Sequence, residues 1–196
     1  MNETLELEEK RSNLSKGERE EMIKLGIIAG DGRLRNYLLP SFHASRPSIE
    51  KIGVHAPDVL NEAYNYQRPS SFSRAIRLNL GEYSVLLISG TASVNEDGEI
   101  AHIGDFKAQS WRTFRNISEL LASEKMSWHD VVRTSCYLRD IERDYKDFNE
   151  IRTQFYSWLK LNPLPASTGI QARLCWDTLL IEIEAIAVCK QDTPLA

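Results

Sequence analysis

Ile181-Glu182-Ile183-Glu184-Ala185-Ile186-Ala187-Val188 is the stretch on which the fold turns. Successive side chains of a strand point to opposite faces. Ile181, Ile183, Ala185 and Ala187 therefore share one face, and Glu182, Glu184 and Ile186 the other. The first face is wholly apolar and needs a cover. The second sets two carboxylates among apolar neighbours, which suits neither a plain core nor a plain solvent surface. A strand is expected over Leu179–Val188.

The elements on either side follow from period and punctuation. Thr168–Leu174 reads as a further strand. Before it, Pro163 and Pro165 stop a helix whose apolar residues Tyr145, Phe148, Ile151, Phe155 and Trp158 recur at steps of three and four; Asp144 is the expected cap and Lys160 the end. Val131–Arg139 alternates as a strand with Val132, Thr134, Cys136 and Leu138 on one face. A second amphipathic helix is predicted from a cap at Asp105 through Ser123, buried along Ala108, Trp111, Phe114, Ile117 and Leu121. Phe72–Leu78 and Tyr83–Ser89 read as strands, and Asn95-Glu96-Asp97-Gly98 as a turn. The order β-β-α-β-α-β-β gives an α/β (α+β) domain: a mixed sheet of the six-strand type with two helices on one face. The opposite face, part apolar and part acidic, calls for self-association, and closed symmetric oligomers are the usual outcome.

The 196 residues suit one domain, or one domain with an extension. A net charge of −4 with both signs spread along the chain offers no concentrated basic face, which argues against nucleic acid as a partner. Cys136, Cys175 and Cys189 form no CxxC pair and histidine is scarce, so no metal site and no cofactor are expected; the cysteines read as packing residues. Met1–Glu6 lacks the basic start and apolar run of a leader, and no apolar stretch is long enough for a membrane, so a cytoplasmic protein is expected. Residues 1–68 read as an extension of unknown role, 69–190 as the domain and 191–196 as a tail. Within the extension, Glu18–Lys24 suggests a short helix, Leu25–Gly32 a strand and turn, and Pro57–Tyr64 another short helix.

Several of these pieces resemble one family. Phe72-Ser73-Arg74-Ala75, Ile88-Ser89-Gly90, Asp130–Thr134 with Tyr137–Asp140, Phe148-Asn149-Glu150, Pro165–Thr168 and Ile181–Val188 are similar, in order and spacing, to the strands and helices of Rid (YjgF/L-PSP endoribonuclease-like) proteins. The resemblance spans about residues 69–190. It implies a chorismate-mutase-like (bacillus type) fold and a homotrimer with small-molecule pockets between subunits. It also implies a metal-independent hydrolase that converts 2-imino acids to 2-keto acids and ammonia. In such enzymes an arginine after the Pro-Ala pair anchors the substrate carboxylate, since a guanidinium fork fits a planar carboxylate.

This chain departs from that pattern. Ser167 follows Pro165-Ala166 where the arginine is expected, Gly169 stands where a cysteine is common, and Phe72 where a tyrosine is common. A changed ligand is therefore expected, rather than standard 2-imino acid deamination. Glu182 is the candidate catalytic group, as acid–base or as orienter of a water; its bland alternative is a rim carboxylate paired with an arginine. Candidate ligand contacts are Phe72, Ser89, Asn149, Ser167, Thr168 and Gly169. For Asn149 and Ser89 the alternatives are plain solvent exposure and a turn serine, and for Gly169 a bulge in an edge strand. Arg74 and Arg139, near strand ends, are candidates for a new anion contact or are surface charges; Arg173 shares the alternating face with Ser167 but lies too far along it. Three functions stay open: a hydrolase or deaminase-like enzyme, a non-catalytic metabolite-binding or regulatory trimer, and an L-PSP-type endoribonuclease.

Overall fold

The strand Ile181–Lys190 (β6) sits inside the sheet, with Ile181, Ile183, Ala185 and Ala187 buried as its alternation requires. The structure is a computed structural model and describes residues 14–25, 27–31, 49–67 and 69–190. The chain divides into two units, Met1–Ser48 and Ile49–Ala196. In the first, Lys16–Lys24 forms a helix (α1) closed by a capping box: Glu18 N–H donates to Ser15 Oγ, and Ser15 N–H donates to Glu18. The predicted strand and turn at Leu25–Gly32 falls partly outside the described residues; Ile28 makes an isolated bridge there.

The second unit holds the sheet. Its strands are Lys51–Val54 (β1), Ala75–Leu80 (β2), Tyr83–Ala92 (β3), Val131–Leu138 (β4), Ala166–Gln171 (β5) and β6. They lie in the order β1-β2-β3-β6-β4-β5, antiparallel throughout except for the β4–β5 pair. The helices Phe106–Ser123 (α2) and Ile141–Trp158 (α3) cover one face. The parallel β4–β5 pair needs a crossover, which α3 supplies. This is the mixed sheet with two helices on one face that the sequence leads one to expect.

The core forms where α2 and α3 meet the sheet. Phe114 at its centre is 1% exposed; it stacks on Phe155 at 4.6 Å and meets Trp128 edge-on at 5.6 Å. Such offset and edge-to-face contacts add roughly 0.5–1.5 kcal/mol each to the burial itself.

Several boundaries differ from the sequence reading. The first predicted strand begins at Ala75, not Phe72, and β3 runs on from Ser89 to Ala92. β5 spans Ala166–Gln171, so Arg173 lies beyond it. The second helix is capped by Asp140, whose Oδ1 accepts from Arg143 N–H at 3.0 Å; Asp144, the expected cap, is buried and held bidentately by Arg143. Tyr145 and Trp158 are exposed rather than core residues, although Trp158 stacks on Trp111 at 5.6 Å. Val132 is turned out because β4 bulges between Val131 and Arg133; Val131 takes the buried place instead. Pro57–Tyr64 forms turns leading into a short 3-10 segment, Ala63–Asn65, not a regular helix.

Replacing Asp140 by Ala leaves the α3 N-terminus uncapped. A loss of about 1 kcal/mol in unfolding free energy is expected from urea titration, with an unchanged slope.

Candidate functional site

A second bulge shapes the candidate site. Ile88 pairs with Ala185 and Thr91 with Ile183, so β3 carries one residue more than β6 between these points. Thr91 Oγ1 donates to Ser89 O at 2.9 Å and closes the bulge, and Ser89 Oγ donates to Ser73 O at 2.8 Å. Ser89 therefore spends its hydroxyl proton on the scaffold. Gly90 falls in the bulge, half-buried, and Glu182 lies across it: a Cβ placed on Gly90 would stand 1.9 Å from Glu182 Oε1. Only glycine leaves room for this carboxylate.

The carboxylate opens into a cavity of about 350 Å³. Phe72, Arg74, Ser89 and Gly90 from the start of β2 and the bulge form one side; Cys175, Trp176 and Leu179 form another, and Tyr66 a third. Cys175 is thus an exposed cavity residue rather than a packing one. Burial, and then the neighbouring Glu184, push the Glu182 carboxyl above the usual carboxylate range. Glu184 is more exposed and accepts from Tyr137 Oη at 2.9 Å.

The walls are held by buried polar side chains. Gln109, fully buried in α2, donates to Thr178 O at 2.9 Å and accepts from Leu180 N–H at 2.9 Å. Arg139 donates to the carbonyls of Leu179, Leu174 and Trp176, which ties the Trp176 loop to β4 and removes Arg139 from the list of free cations. Asn116 Nδ2 donates to Ala92 O and Val94 O, both at 2.9 Å, and fixes the end of β3. Tyr66 packs flat on Gly98, whose φ of +84° and closeness to the ring (2.6 Å from a built Cβ) both exclude a side chain.

The other candidates lie elsewhere in the chain. Ser167 pairs with Thr134 and points to the helix-covered face, whereas Glu182 pairs with Tyr137 and points to the open one. Ser167 Oγ accepts from Thr134 Oγ1 and from Arg152 Nη1, both at 3.0 Å. Arg152 also donates to Asn149 Oδ1 and sits over the Phe148 ring at 5.1 Å. Asn149 and Gly169 share a shallow groove between α3 and β5 with Tyr145. A Cβ on Gly169 would make only ordinary contact with that ring, so space does not demand glycine here. Thr168 lies on the open face and accepts from Arg133 Nη2 at 3.3 Å. One chain thus gathers Phe72, Ser89 and Glu182, and separately gathers Asn149, Ser167 and Gly169.

The sequence model of the family described as Endoribonuclease L-PSP matches residues 66–189. The chain belongs to this family, the Rid/YjgF proteins. A RutC family protein of Pyrococcus abyssi is 31% identical over 117 residues, 59% of this chain and 84% of that one. The 3-aminoacrylate deaminase RutC of Acinetobacter baylyi is 27% identical over 104 residues, 53% of this chain and 79% of that one. Escherichia coli TdcF, solved with bound serine, matches with a TM-score of 0.58 at 21% identity, over 71% of this chain and 99% of TdcF, and so shares the fold.

Within this family member the sequence reading missed Tyr66 and Arg152 as neighbours of the candidate groups. Arg152 carried one signal: it lies three residues after Asn149, hence on the same helix face. No group of three or more His, Cys, Asp or Glu among the described residues is placed to hold a metal, and no helix among them is long and apolar enough to cross a membrane.

The raised Glu182 pKa has a consequence for stability. Ionising this buried carboxyl opposes folding, so the wild type loses stability relative to Glu182→Gln as pH rises through the elevated pKa. Below the ordinary carboxyl range both side chains are neutral and the pH-dependent part of the difference vanishes. Urea midpoints of the two proteins between pH 3 and 8 are expected to diverge upward in pH, with Gln the more stable near neutrality; parallel curves would contradict a desolvated Glu182.

Proposed function

We propose that this chain hydrolyses a carbon–nitrogen double bond, or the enamine that tautomerises to it, in a small metabolite held in the Glu182 cavity. The family supports small-molecule binding or deaminase-like chemistry in general. The observation that carries the finer reading is a partly desolvated carboxylate, without an ion pair among the described residues, lying over Gly90 in an otherwise largely apolar cavity.

The chemistry balances with water alone. The protonated carboxyl gives its proton to the imine nitrogen while a water oxygen bonds to carbon and the C=N pair moves to nitrogen. The carboxylate then takes the excess proton from the added water, giving a neutral carbinolamine. A second transfer of that proton to nitrogen releases ammonia as the carbonyl forms, and the carbinol proton returns to Glu182. A carboxyl raised toward neutrality serves both directions better than an ordinary one.

The open side of the cavity belongs, in this reading, to a second copy. β5 is exposed along its whole length, and the uncovered sheet face carries Leu87 at 40% and Val132 at 48% exposure beside Ile76 and Ile186. Edges and faces of this kind are normally covered. A homotrimer would bring one chain's Asn149, Arg152, Ser167 and Gly169 toward another's Phe72, Ser89 and Glu182. Sedimentation at micromolar concentration is expected to show a three-chain particle, and a monomer would sink this part.

For the chemistry, imines generated by an amino-acid oxidase, and 3-aminoacrylate, are the substrates to offer, with ammonia release as the readout. Glu182→Gln is expected to lower kcat/KM at least a hundredfold. Unchanged turnover would remove Glu182 from the mechanism. Ligand-induced thermal protection without any turnover would leave a binding protein instead.

A further inference from the structure

Arg74 is 6% exposed, yet its charge has no counter-ion among the described residues. Its Nε donates to Asn61 O at 3.0 Å. The terminal nitrogens donate to nothing among the described residues, and Arg74 lines the cavity. The guanidinium is clamped between two rings, 5.0 Å from the Tyr66 centroid and 5.4 Å from that of Phe72. Cation–π contact at this distance steadies the plane of the group but satisfies none of its N–H donors. A guanidinium removed from water and left without an anion is costly unless something else supplies the anion. Glu182 does not: no ion pair joins the two, and its carboxyl is driven up, not held down as an adjacent guanidinium would hold it.

We infer that Arg74 is the anion anchor of this cavity, and that the ligand is a planar monocarboxylic acid with an apolar, ring-sized body. Three observations choose the class. The rigid fork of a clamped guanidinium fits a carboxylate bidentately. Glu182 and Glu184 line the same cavity, and their field works against a dianion such as a phosphate monoester. Trp176, Leu179, Ala92 and Val94 offer apolar surface in a volume suited to one or two rings. The assignment takes the Glu182 cavity as the binding site and in that respect rests on the functional reading above. It moves the carboxylate contact from β5, where Ser167 stands, to the entry of β2.

The test is calorimetric binding of benzoate, benzamide and phenyl phosphate to the full chain at fixed ionic strength. Benzoate is expected to bind at least tenfold more tightly than either comparison compound. Arg74→Gln should abolish the preference over benzamide, and Arg74→Lys should keep part of it. Equal binding of benzoate and benzamide by the wild type would overturn the inference without any variant, and so does not depend on Arg74→Gln folding. Tighter binding of phenyl phosphate, or a preference undiminished in folded Arg74→Gln, would overturn it too. The experiment needs no turnover: a protein that prefers benzoate but hydrolyses nothing keeps Arg74 and loses the hydrolase, whereas turnover without the preference does the reverse.

Discussion

The contact between the Glu182 carboxylate and the bare backbone of Gly90 is the constraint around which the site is built. It requires a strand that is apolar on one face and acidic on the other. It also requires an extra residue in the neighbouring strand, placed so that a glycine falls under the carboxylate. Neither feature is useful alone. Without the bulge, Gly90 would not fall under Glu182; without glycine, a Cβ would collide with the carboxylate and force it to shift.

Holding that contact explains much of the buried polarity. A cavity wall made of loop backbone carries donors and acceptors that cannot be left unpaired. Gln109, Asn116 and Arg139 answer seven of them from α2 and the end of β4. These side chains read as unremarkable polar positions on otherwise amphipathic elements, yet each bonds across a long stretch of sequence. Their partners are backbone groups, and so they tie the Trp176 loop to α2 and to the end of β4.

What was legible in the sequence follows the range of the interactions concerned. α2 and its Asp105 cap are local, and were readable within a residue. β6 declared both its faces because a strict alternation leaves no second register. Asp140 and Asp144, four apart ahead of the same apolar stripe, are equivalent to a local rule; the choice falls to Asp140 because Ile141 already belongs to the helix and Asp144 is committed to Arg143. β1 is four residues long and contains a glycine, and its pairing with β2 supplies its reason to be a strand. The bulges at Ser89-Gly90 and Val132 were illegible, since each depends on the partner strand having one residue fewer. Glu182 stood out as a charge in an apolar alternation. Asn149, Ser167 and Gly169 came from resemblance alone, and their separation from Glu182 could not be read without the sheet.

That separation bears on what replaced the missing β5 arginine. Ser167 does not simply leave a hole: Arg152 reaches from α3 and bonds its hydroxyl, so a guanidinium still stands at this edge, but half-tied to Ser167 and Asn149. Arg74 differs in kind, since it is buried, packed over two rings and, among the described residues, without a partner at its terminal nitrogens. A group already hydrogen-bonded must give up partners before it can grip a ligand, whereas one held open gives up nothing. On that ground the anchoring role falls to the arginine within the Glu182 cavity, and the α3 arginine is better understood as keeping the β5 edge in shape for whatever packs against it.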